Sequence, residues 1–351
     1  MSLPRNTLER LSEILDLYHY LQPANLDEER ERFLSSVEEG GEYNPEYEYR
    51  SFGEAAEARQ LLEDLDSEAE TRIEESVVAS LTGKLRMIEA IGSEEITRVS
   101  RSYYGDPSQE LVDAARRKIS TGTEHGEEEV DGSRLSQAFD SLFEELDVDY
   151  GCEISPVNII RNSPRKKRIL IPSGKRYSRK AAKRLLIHES THSIRTVNGL
   201  RKDDPALIYG TEGYEIVEEG LPTFNEEEVG VFADTLPKIT ARVIAVDSSR
   251  DSFHELYRRM RDLGLDRRAS YVRAYRVKRG LRDTSQTGGF IKDHIYFQGY
   301  RYLSENPGAA EKLYVGKIGP EDLEDVEASP EVTRKEHISA YNRVVRDTLE
   351  D

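Results

Sequence analysis

The sequence predicts an α+β protein that is mostly helical, with a small sheet beside a central helix. Apolar residues recur at the three-to-four spacing of amphipathic helices through most of the 351 residues. Two short runs rich in β-branched residues, at 156–160 and 168–171, are typical of strands. A long helical pattern follows the second run directly, so we expect that helix to pack beside the sheet.

The first part of the chain is predicted to be helical. The spacing of apolar residues predicts helices over 7–21, 26–37, 54–91, 109–119 and 133–146, with an interruption near Asp66. A loop containing glycine, asparagine and proline separates the second of these from the third. We therefore expect residues 1–149 to form a helical N-terminal region.

The character of the sequence changes at Tyr150. The turn residues Asn162-Ser163-Pro164 lie between the two strand patterns and predict a hairpin. Ser178 is a typical N-cap for the helix that follows, and Asn198-Gly199 is a typical end for it. Residues 150–351 are expected to form a catalytic region that folds as one integrated unit around this helix.

The composition narrows the classes of function. A formal net charge of −18 argues against nucleic-acid binding, which depends on the neutralisation of phosphates. The sequence contains no apolar run long enough to span a bilayer, and its first residues lack the apolar centre of a signal peptide. We therefore expect a cytoplasmic protein without membrane attachment. The single cysteine, Cys152, excludes an intramolecular disulfide and is too few for a cysteine-based zinc site.

The central helix carries the sequence H-E-S-T-H from His188 to His192. Residues four apart lie on one face of a helix, so both imidazoles can reach a single cation. Glu189 is placed to act on a metal-bound water rather than on the metal. Two imidazoles and a carboxylate suit zinc, and an open fourth position lets the ion acidify water. The alternative is a pair of histidines on a surface helix, but the apolar residues 185–187 indicate that the helix is partly buried there.

A third ligand is available downstream, in the sequence Y-E-I-V-E-E-G-L-P-T-F-N-E-E. We favour Glu219, with Glu218 as the alternative. Adjacent residues on a helix point about 100° apart, so only one of the two carboxylates is expected to face the ion. The sequence thus predicts a zincin-like metallopeptidase with one catalytic Zn²⁺ ion.

The residues between Glu153 and Glu189 include no acid, although the chain is strongly negative. That stretch contains eleven basic residues, and a second basic stretch runs over 258–282. Basic residues that line a zinc site would attract an acidic peptide or a terminal carboxylate. The alternatives are a solvated basic face that balances the acidic N-terminal helices and, less favoured by the net charge, a nucleic-acid groove.

Five further elements accompany the H-E-S-T-H sequence. They are Thr191-His192 with Arg195 and Asn198-Gly199, Glu218-Glu219-Gly220-Leu221, Arg276-Val277-Lys278-Arg279-Gly280, Lys292-Asp293-His294-Ile295-Tyr296-Phe297-Gln298-Gly299, and Tyr104-Gly105-Asp106-Pro107. Together they resemble the microtubule-associated tyrosine carboxypeptidase family and its prokaryotic branch, which carries a Q-E-G-L-A motif. The resemblance covers most of the chain and is weakest in the first hundred residues.

Two features depart from the family pattern. The family has three residues between the glutamate and the second histidine of its first motif, whereas only Ser190 and Thr191 intervene here. The helix therefore need not be distorted to bring both rings together. Pro222 replaces the alanine of the Q-E-G-L-A motif and is expected to affect the local turn. Neither change removes a ligand.

The resemblance implies a metallocarboxypeptidase that removes a C-terminal residue, which is tyrosine in the animal members. His188, His192 and Glu219 would be the zinc ligands and Glu189 the general base. The expected partner is a protein or peptide C-terminus, acidic in character. The same metal centre would also suit an endopeptidase, an aminopeptidase or a non-hydrolytic metal-binding regulatory protein.

The resemblance also implies residues that bind the substrate. Arg279 and Lys292 would grip its carboxylate, and Tyr296 or His294 would donate a hydrogen bond to the oxyanion. Ordinary ion pairing or packing is the alternative role for these four residues. Arg195 and Asn198 would orient the end of the central helix or support the ligands.

Overall fold

A computed structural model describes residues 3–119, 129–326 and 329–350. Contacts divide the chain into two compact units: Met1–Thr121 with Leu236–Phe297, and Gly122–Thr235 with Gln298–Asp351. Here they are called the first and second units. The expectation that a catalytic region begins at residue 150 concerns function and stays a prediction.

The described residues are mostly helical, with two small sheets, which confirms the α+β class. The helices are α1 Arg5–Ile14, α2 Leu17–Leu21, α3 Leu26–Glu38, α4 Ala55–Glu68, α5 Arg72–Ala90, α6 Glu95–Tyr104, α7 Gln109–Lys118, α8 Gly132–Glu145, α9 Arg179–Lys202, α10 Pro205–Tyr209, α11 Tyr214–Glu228, α12 Leu236–Asp247, α13 Phe253–Asp262, α14 Arg267–Lys278, α15 Ile295–Glu305, α16 Pro307–Lys312 and α17 Arg334–Val344. The strands are β1 Glu129–Asp131, β2 Gly151–Ser155, β3 Arg161–Ser163, β4 Arg168–Pro172 and β5 Arg176–Ser178. Among the helices described here, none is both long and apolar enough to cross a membrane.

Most of the predicted N-terminal helices are present. The long pattern over 54–91 is interrupted between α4 and α5, where Thr71 forms a capping box with Glu74 at the start of α5. The pattern over 7–21 is not one helix, because the side chain of Asp16 accepts a hydrogen bond from the His19 amide and starts α2. Helix α6 was not predicted.

The sheets belong to the second unit. Strand β4 pairs with β2 in parallel and with β3 in antiparallel register, whereas β1 pairs with β5. The strand predicted over 156–160 is wrong, because β2 ends before Pro156 and the hairpin joins β3 to β4. Proline has no amide hydrogen for a ladder, and Ile159 is 67% exposed, so no buried face holds this segment in a sheet.

Helix α9 is the central element of the second unit. It starts as predicted, since the Ser178 hydroxyl accepts a hydrogen bond from the Ala181 amide. It does not end at Asn198-Gly199 but continues to Lys202. A Cβ at Gly199 would lie 2.5 Å from the Leu207 carbonyl oxygen, so this glycine permits a close contact instead of ending the helix.

Candidate metal centre

The buried face of α9 holds the candidate metal-binding sequence in place. Leu186, Ile187 and Ile194 are fully buried. The Thr191 hydroxyl, also buried, donates back to the Ile187 carbonyl oxygen at 2.7 Å. Ser190 makes the same kind of bond, so the hydroxyls on this face are paired without interrupting the helix. The two histidines lie on the opposite face of this part of the helix.

His188 and His192 come together with Glu219 of α11. The ligand atoms of these three residues all lie within 4.8 Å of one another, close enough for one metal ion to contact all three. The rings of His188 and His192 have centroids 5.2 Å apart, one helical turn along α9. Their side chains are 16% and 15% exposed, so the site is accessible but largely shielded.

Each histidine ring is oriented by a second carboxylate. His188 Nδ1 lies 2.7 Å from Glu226 Oε1, and His192 Nδ1 lies 2.9 Å from Glu218 Oε1. A neutral imidazole that donates from Nδ1 to a carboxylate keeps the lone pair of Nε2 for a metal. The geometry therefore favours Glu219 over Glu218 as the third ligand, since Glu218 is already engaged with His192.

Glu218 sits in a strongly polar environment. The guanidinium of Arg195, itself fully buried, donates to Glu218 Oε2. Burial opposes the charge on Glu218, but Arg195 and His192 outweigh it and hold the pKa of this carboxyl well below its usual range. The remaining donors of Arg195 bind the carbonyl oxygens of Leu313, at 2.9 Å, and Gly316, at 2.6 Å. Arg195 thus orients the carboxylate that orients His192.

The charge on Glu218 also acts on His192. Burial favours the neutral imidazole, but the hydrogen bond and charge of Glu218 exceed this effect and raise the pKa of His192 to about 9. The charges of Glu219 and Glu189 add to the same effect. In the absence of a metal, His192 therefore carries a proton at neutral pH.

Glu226 was not singled out from the sequence. Its fully buried carboxylate accepts hydrogen bonds from the Thr235 hydroxyl and His188, and Arg184 lies 3.6 Å away. It lies seven residues after Glu219 on α11. The sequence did contain a signal for this residue. Residues seven apart share a helical face, so Glu226 lies on the same face of the helix as Glu219. Each candidate ligand histidine also needs a carboxylate or another acceptor for its second ring nitrogen.

Glu189 lies between the two histidines and is partly buried. Its backbone carbonyl oxygen accepts hydrogen bonds from the Ser193 hydroxyl, at 3.0 Å, and from the Asn162 side chain, at 3.4 Å. Asn162 stands on β3 and also accepts from the Tyr150 hydroxyl. Strand β3 therefore contacts the turn of α9 that carries the candidate base. The sheet lies beside the central helix, as predicted.

A model of the microtubule-associated tyrosine carboxypeptidase family matches residues 31–338. The chain belongs to this family. Among curated proteins, microtubule-associated tyrosine carboxypeptidase 1 of Mus musculus is 24% identical over 316 residues. The matched part is 88% of this chain and 60% of the mouse protein, so the chain spans less than two thirds of that relative's length.

Both departures from the family pattern are accommodated without a break in the helices. Helix α9 is continuous through Ser190 and Thr191, as the shorter spacing predicts. Helix α11 is also continuous through Pro222, so the replacement of the family's alanine leaves the helix intact. Glu218 and Glu219 therefore both occupy regular helical positions in α11.

Two glycines from the family elements set the position of α11. A Cβ at Gly220 would lie 2.4 Å from the Gly299 carbonyl carbon, and a Cβ at Gly299 would lie 1.9 Å from the Ile216 carbonyl oxygen. Only glycine at both positions allows the backbones of α11 and α15 to approach this closely. Gly220 follows Glu219 directly, so this contact fixes the turn that presents the candidate third ligand.

The four residues predicted to bind substrate lie in the first unit, whereas the histidines and Glu219 lie in the second. Lys292 is 4% exposed and its ammonium donates to the Tyr18 hydroxyl. Arg279 is 7% exposed, with Nη2 3.9 Å from an oxygen of Asp293. Their role in substrate binding stays a prediction.

The two candidates for the oxyanion donor differ in their surroundings. The Tyr296 ring lies under the Arg242 guanidinium, at 3.8 Å. His294 is fully buried, its Nε2 is 3.2 Å from the Tyr104 carbonyl oxygen, and burial lowers its pKa to about 4. A neutral imidazole has one N–H, and the Tyr104 carbonyl oxygen accepts it. Tyr296 is therefore the better candidate.

Several residues of the first basic stretch pair with acids from other parts of the second unit. The pairs are Lys167 with Asp149 at 2.7 Å, Arg176 with Glu129 at 2.5 Å, Lys180 with Asp234 at 3.1 Å, Lys183 with Glu350 at 2.6 Å and Arg184 with Glu226 at 3.6 Å. This pairing favours the interpretation of the stretch as a face that balances nearby acids.

A buried polar network behind helix α9 was not predicted. Asn225 donates to the Thr191 hydroxyl at 3.0 Å and to the Tyr314 hydroxyl at 2.7 Å. Tyr314 in turn bonds to His337 Nδ1, and His337 Nε2 bonds to Ser190, each at 2.8 Å. Burial lowers the pKa of His337 to about 3, so the ring stays neutral and can link the two hydroxyls. The network ties α9, α11 and α17 together.

Proposed function

We propose that the chain is a zinc-dependent metallocarboxypeptidase that removes a residue from the C-terminus of a protein or peptide. The observation that carries the proposal is the meeting of His188, His192 and Glu219 within 4.8 Å, with a carboxylate behind each histidine. Family membership supports a peptidase. The sequence Glu218-Glu219-Gly220-Leu221 further supports placing the chain in the prokaryotic branch.

The donor set fits zinc. Two imidazole nitrogens and one carboxylate oxygen are typical of catalytic zinc sites, which keep their fourth position open, whereas structural sites are closed by four protein ligands. The group at this site contains three such residues. The carboxylates of Glu218 and Glu226 behind the rings are the usual partners of zinc-bound histidines.

The reaction assigns a role to each residue around the ion. When bound, zinc lowers the pKa of water towards about 7 and polarises the peptide carbonyl. The Glu189 carboxylate accepts the proton that the attacking water loses and then delivers it to the nitrogen of the leaving amine. The carboxylates of Glu218 and Glu226 hold the two rings in place throughout.

Selection of the C-terminus is the part of the proposal that rests most on the family. The name of the mouse relative specifies tyrosine, and we propose tyrosine as the preferred terminal residue here. Arg279 and Lys292 are proposed to hold the terminal carboxylate, and Tyr296 to donate to the oxyanion. Guanidinium groups suit a carboxylate because they can bind both of its oxygens.

Metal analysis of the purified chain, combined with mass spectrometry of a C-terminal peptide library, tests the proposal. We expect one zinc per chain and products shorter by one C-terminal residue. Each peptide is compared with its C-terminally amidated form, which should resist cleavage. Equal cleavage of both forms would indicate an endopeptidase or aminopeptidase instead. Bound zinc without any product would indicate a non-hydrolytic metal-binding regulatory protein.

A further inference from the structure

A cavity of about 860 Å³ opens at the start of α9, within the second unit. Its walls come from α9, the turn after α11, α17 and the segment that follows α17. The described residues that line it include four basic side chains: Arg179, Lys180, Lys183 and Arg346. The three candidate metal ligands are not among these lining residues. We call it the basic cavity, and its volume is that of a site for a small organic molecule.

Positive charge predominates in the basic cavity. Glu350 is the one acid among its described lining residues, and Lys183 Nζ donates to Glu350 Oε1 at 2.6 Å. This hydrogen bond and the charge of Lys183 lower the pKa of the Glu350 carboxyl. The charges of Arg179 and Arg346 act in the same direction. One carboxylate of the chain therefore already lies in the combined field of three cations of the cavity.

Two of the acids that pair with these cations are exposed enough to be replaced by a ligand. The side chain of Glu350 is 48% exposed, and that of Asp347, which lies 3.0 Å from Arg346, is 63% exposed. Exposed ion pairs are weak, because water and salt compete with them. A phosphate group carries about two negative charges and three acceptor oxygens near neutral pH, so it can bind several cations at once. A phosphate is therefore a better partner for this group of cations than one side-chain carboxylate.

Apolar side chains form another part of the wall. Val231, Tyr341 and Val345 line the basic cavity, and all three are largely buried. The Tyr341 hydroxyl donates to the Lys183 carbonyl oxygen at 3.2 Å, which holds this tyrosine against α9. Apolar surface beside a few charged groups is typical of sites for small organic ligands. The wall therefore suits a molecule that carries its phosphate on an apolar body.

We propose that the basic cavity binds a small organic phosphate. Lys183, Arg179 and Arg346 bind the phosphate group, and the valine side chains contact the apolar part of the ligand. The phosphate takes the place of the Glu350 carboxylate beside Lys183. This site goes beyond the proposed peptidase function, because its cations and its apolar wall require neither a metal ion nor turnover.

Calorimetry on the full chain tests the site with phenyl phosphate, phenylacetate and inorganic phosphate. We expect phenyl phosphate to bind, and phenylacetate to bind about tenfold more weakly, because it has one charge and fewer acceptor oxygens. Inorganic phosphate should also bind more weakly, because it lacks the apolar part. No detectable binding of phenyl phosphate overturns the proposal, as does phenylacetate binding of equal strength. Inorganic phosphate that binds as tightly as phenyl phosphate overturns the assignment to an organic phosphate.

Two variants with opposite expected effects locate the bound phosphate. Lys183→Gln should weaken phenyl phosphate binding by about tenfold, the loss of one charge-assisted contact. Lys175→Gln is the matched control and should bind like the parent, because Lys175 is an exposed lysine of the same basic stretch outside the lining of the cavity. Glu350→Gln removes the competing carboxylate and should strengthen binding by about two- to fivefold. Unchanged or weaker binding by Glu350→Gln contradicts the proposal, even if Lys183→Gln does not fold.

His188→Ala separates this site from the metal centre, where a bound metal ion could itself attract phosphate. His188 does not line the basic cavity, so its loss should leave the affinity for phenyl phosphate unchanged. If His188→Ala abolishes binding and Lys183→Gln does not, the phosphate lies at the metal centre and the proposal is wrong. Absence of zinc or of hydrolysis would contradict the proposed function, yet phenyl phosphate binding that depends on Lys183 would still be expected.

Discussion

His192 Nδ1 lies 2.9 Å from Glu218 Oε1, while the next residue, Glu219, joins His192 in the candidate ligand set. Two adjacent carboxylates on α11 thus act on the same imidazole in different ways. Glu218 holds the ring through Nδ1, and a ligand atom of Glu219 lies within 4.8 Å of a ligand atom of His192. The side chains of two consecutive residues project from α11 about 100° apart. The two adjacent carboxylates can therefore serve these two different roles.

Glu189→Gln should keep the metal and lose turnover. The amide is nearly the same size as the carboxylate but cannot accept the proton of the attacking water, so kcat should fall by about 100-fold or more. Zinc content measured by atomic absorption should remain that of the parent. Hydrolysis at the parental rate would show that Glu189 is not the base.

Glu218→Gln should weaken zinc binding without removing a ligand. The amide oxygen accepts the Nδ1 proton of His192 less strongly than the carboxylate does, so zinc affinity measured above pH 9, where no proton competes for the ring, should fall by about 10- to 100-fold. Competition with a fluorescent zinc chelator measures the change. Glu228→Gln is the matched control, because Glu228 lies on the same helix with a 53% exposed side chain that pairs with Arg334 at 3.5 Å. If both variants bind zinc equally well, Glu218 does not support His192.

Zinc binding should release a proton from His192. Without metal, the pKa of His192 is raised to about 9, so the ring is protonated below that pH and zinc must displace the proton. The zinc dissociation constant should therefore rise by about tenfold for each pH unit below pH 9, and level off above it. Calorimetry in buffers of different ionisation enthalpy counts the released protons. An affinity that is independent of pH between 7 and 9 would contradict this assignment.

Gly220→Ala should destabilise the second unit and displace the third ligand. The added methyl group would lie 2.4 Å from the backbone of Gly299, which cannot move aside like a flexible side chain. We expect a loss of about 1–3 kcal/mol in the free energy of unfolding, as in other overpacked interiors, together with weaker zinc binding. Gly308→Ala on α16 is the control, since no described atom beyond its own chain neighbours and helix backbone lies within 4 Å of the position its methyl group would take. Denaturant titration of both variants checks the difference, and equal stability would refute the close contact.

The sequence determined those features that depend on neighbours along the chain. The serine cap at Ser178, the helical pattern after it and the spacing of His188 and His192 are local, because a hydrogen-bonded turn involves residues three or four apart. The same rules located α3 and the break between α4 and α5. These predictions needed no knowledge of which elements pack together.

Tertiary packing decided the rest. Local rules give Asn198-Gly199 as a helix end, but Asn198 instead donates to the Tyr314 and Val332 carbonyl oxygens, and Gly199 makes room for Leu207. The roles of Glu218 and Glu219 likewise depend on how α11 is rotated against α9. That rotation is set by the close approach of Gly220 to Gly299, 79 positions later in the sequence. Contacts between residues so distant along the chain exist only once the helices have packed, so no local pattern can encode them on its own.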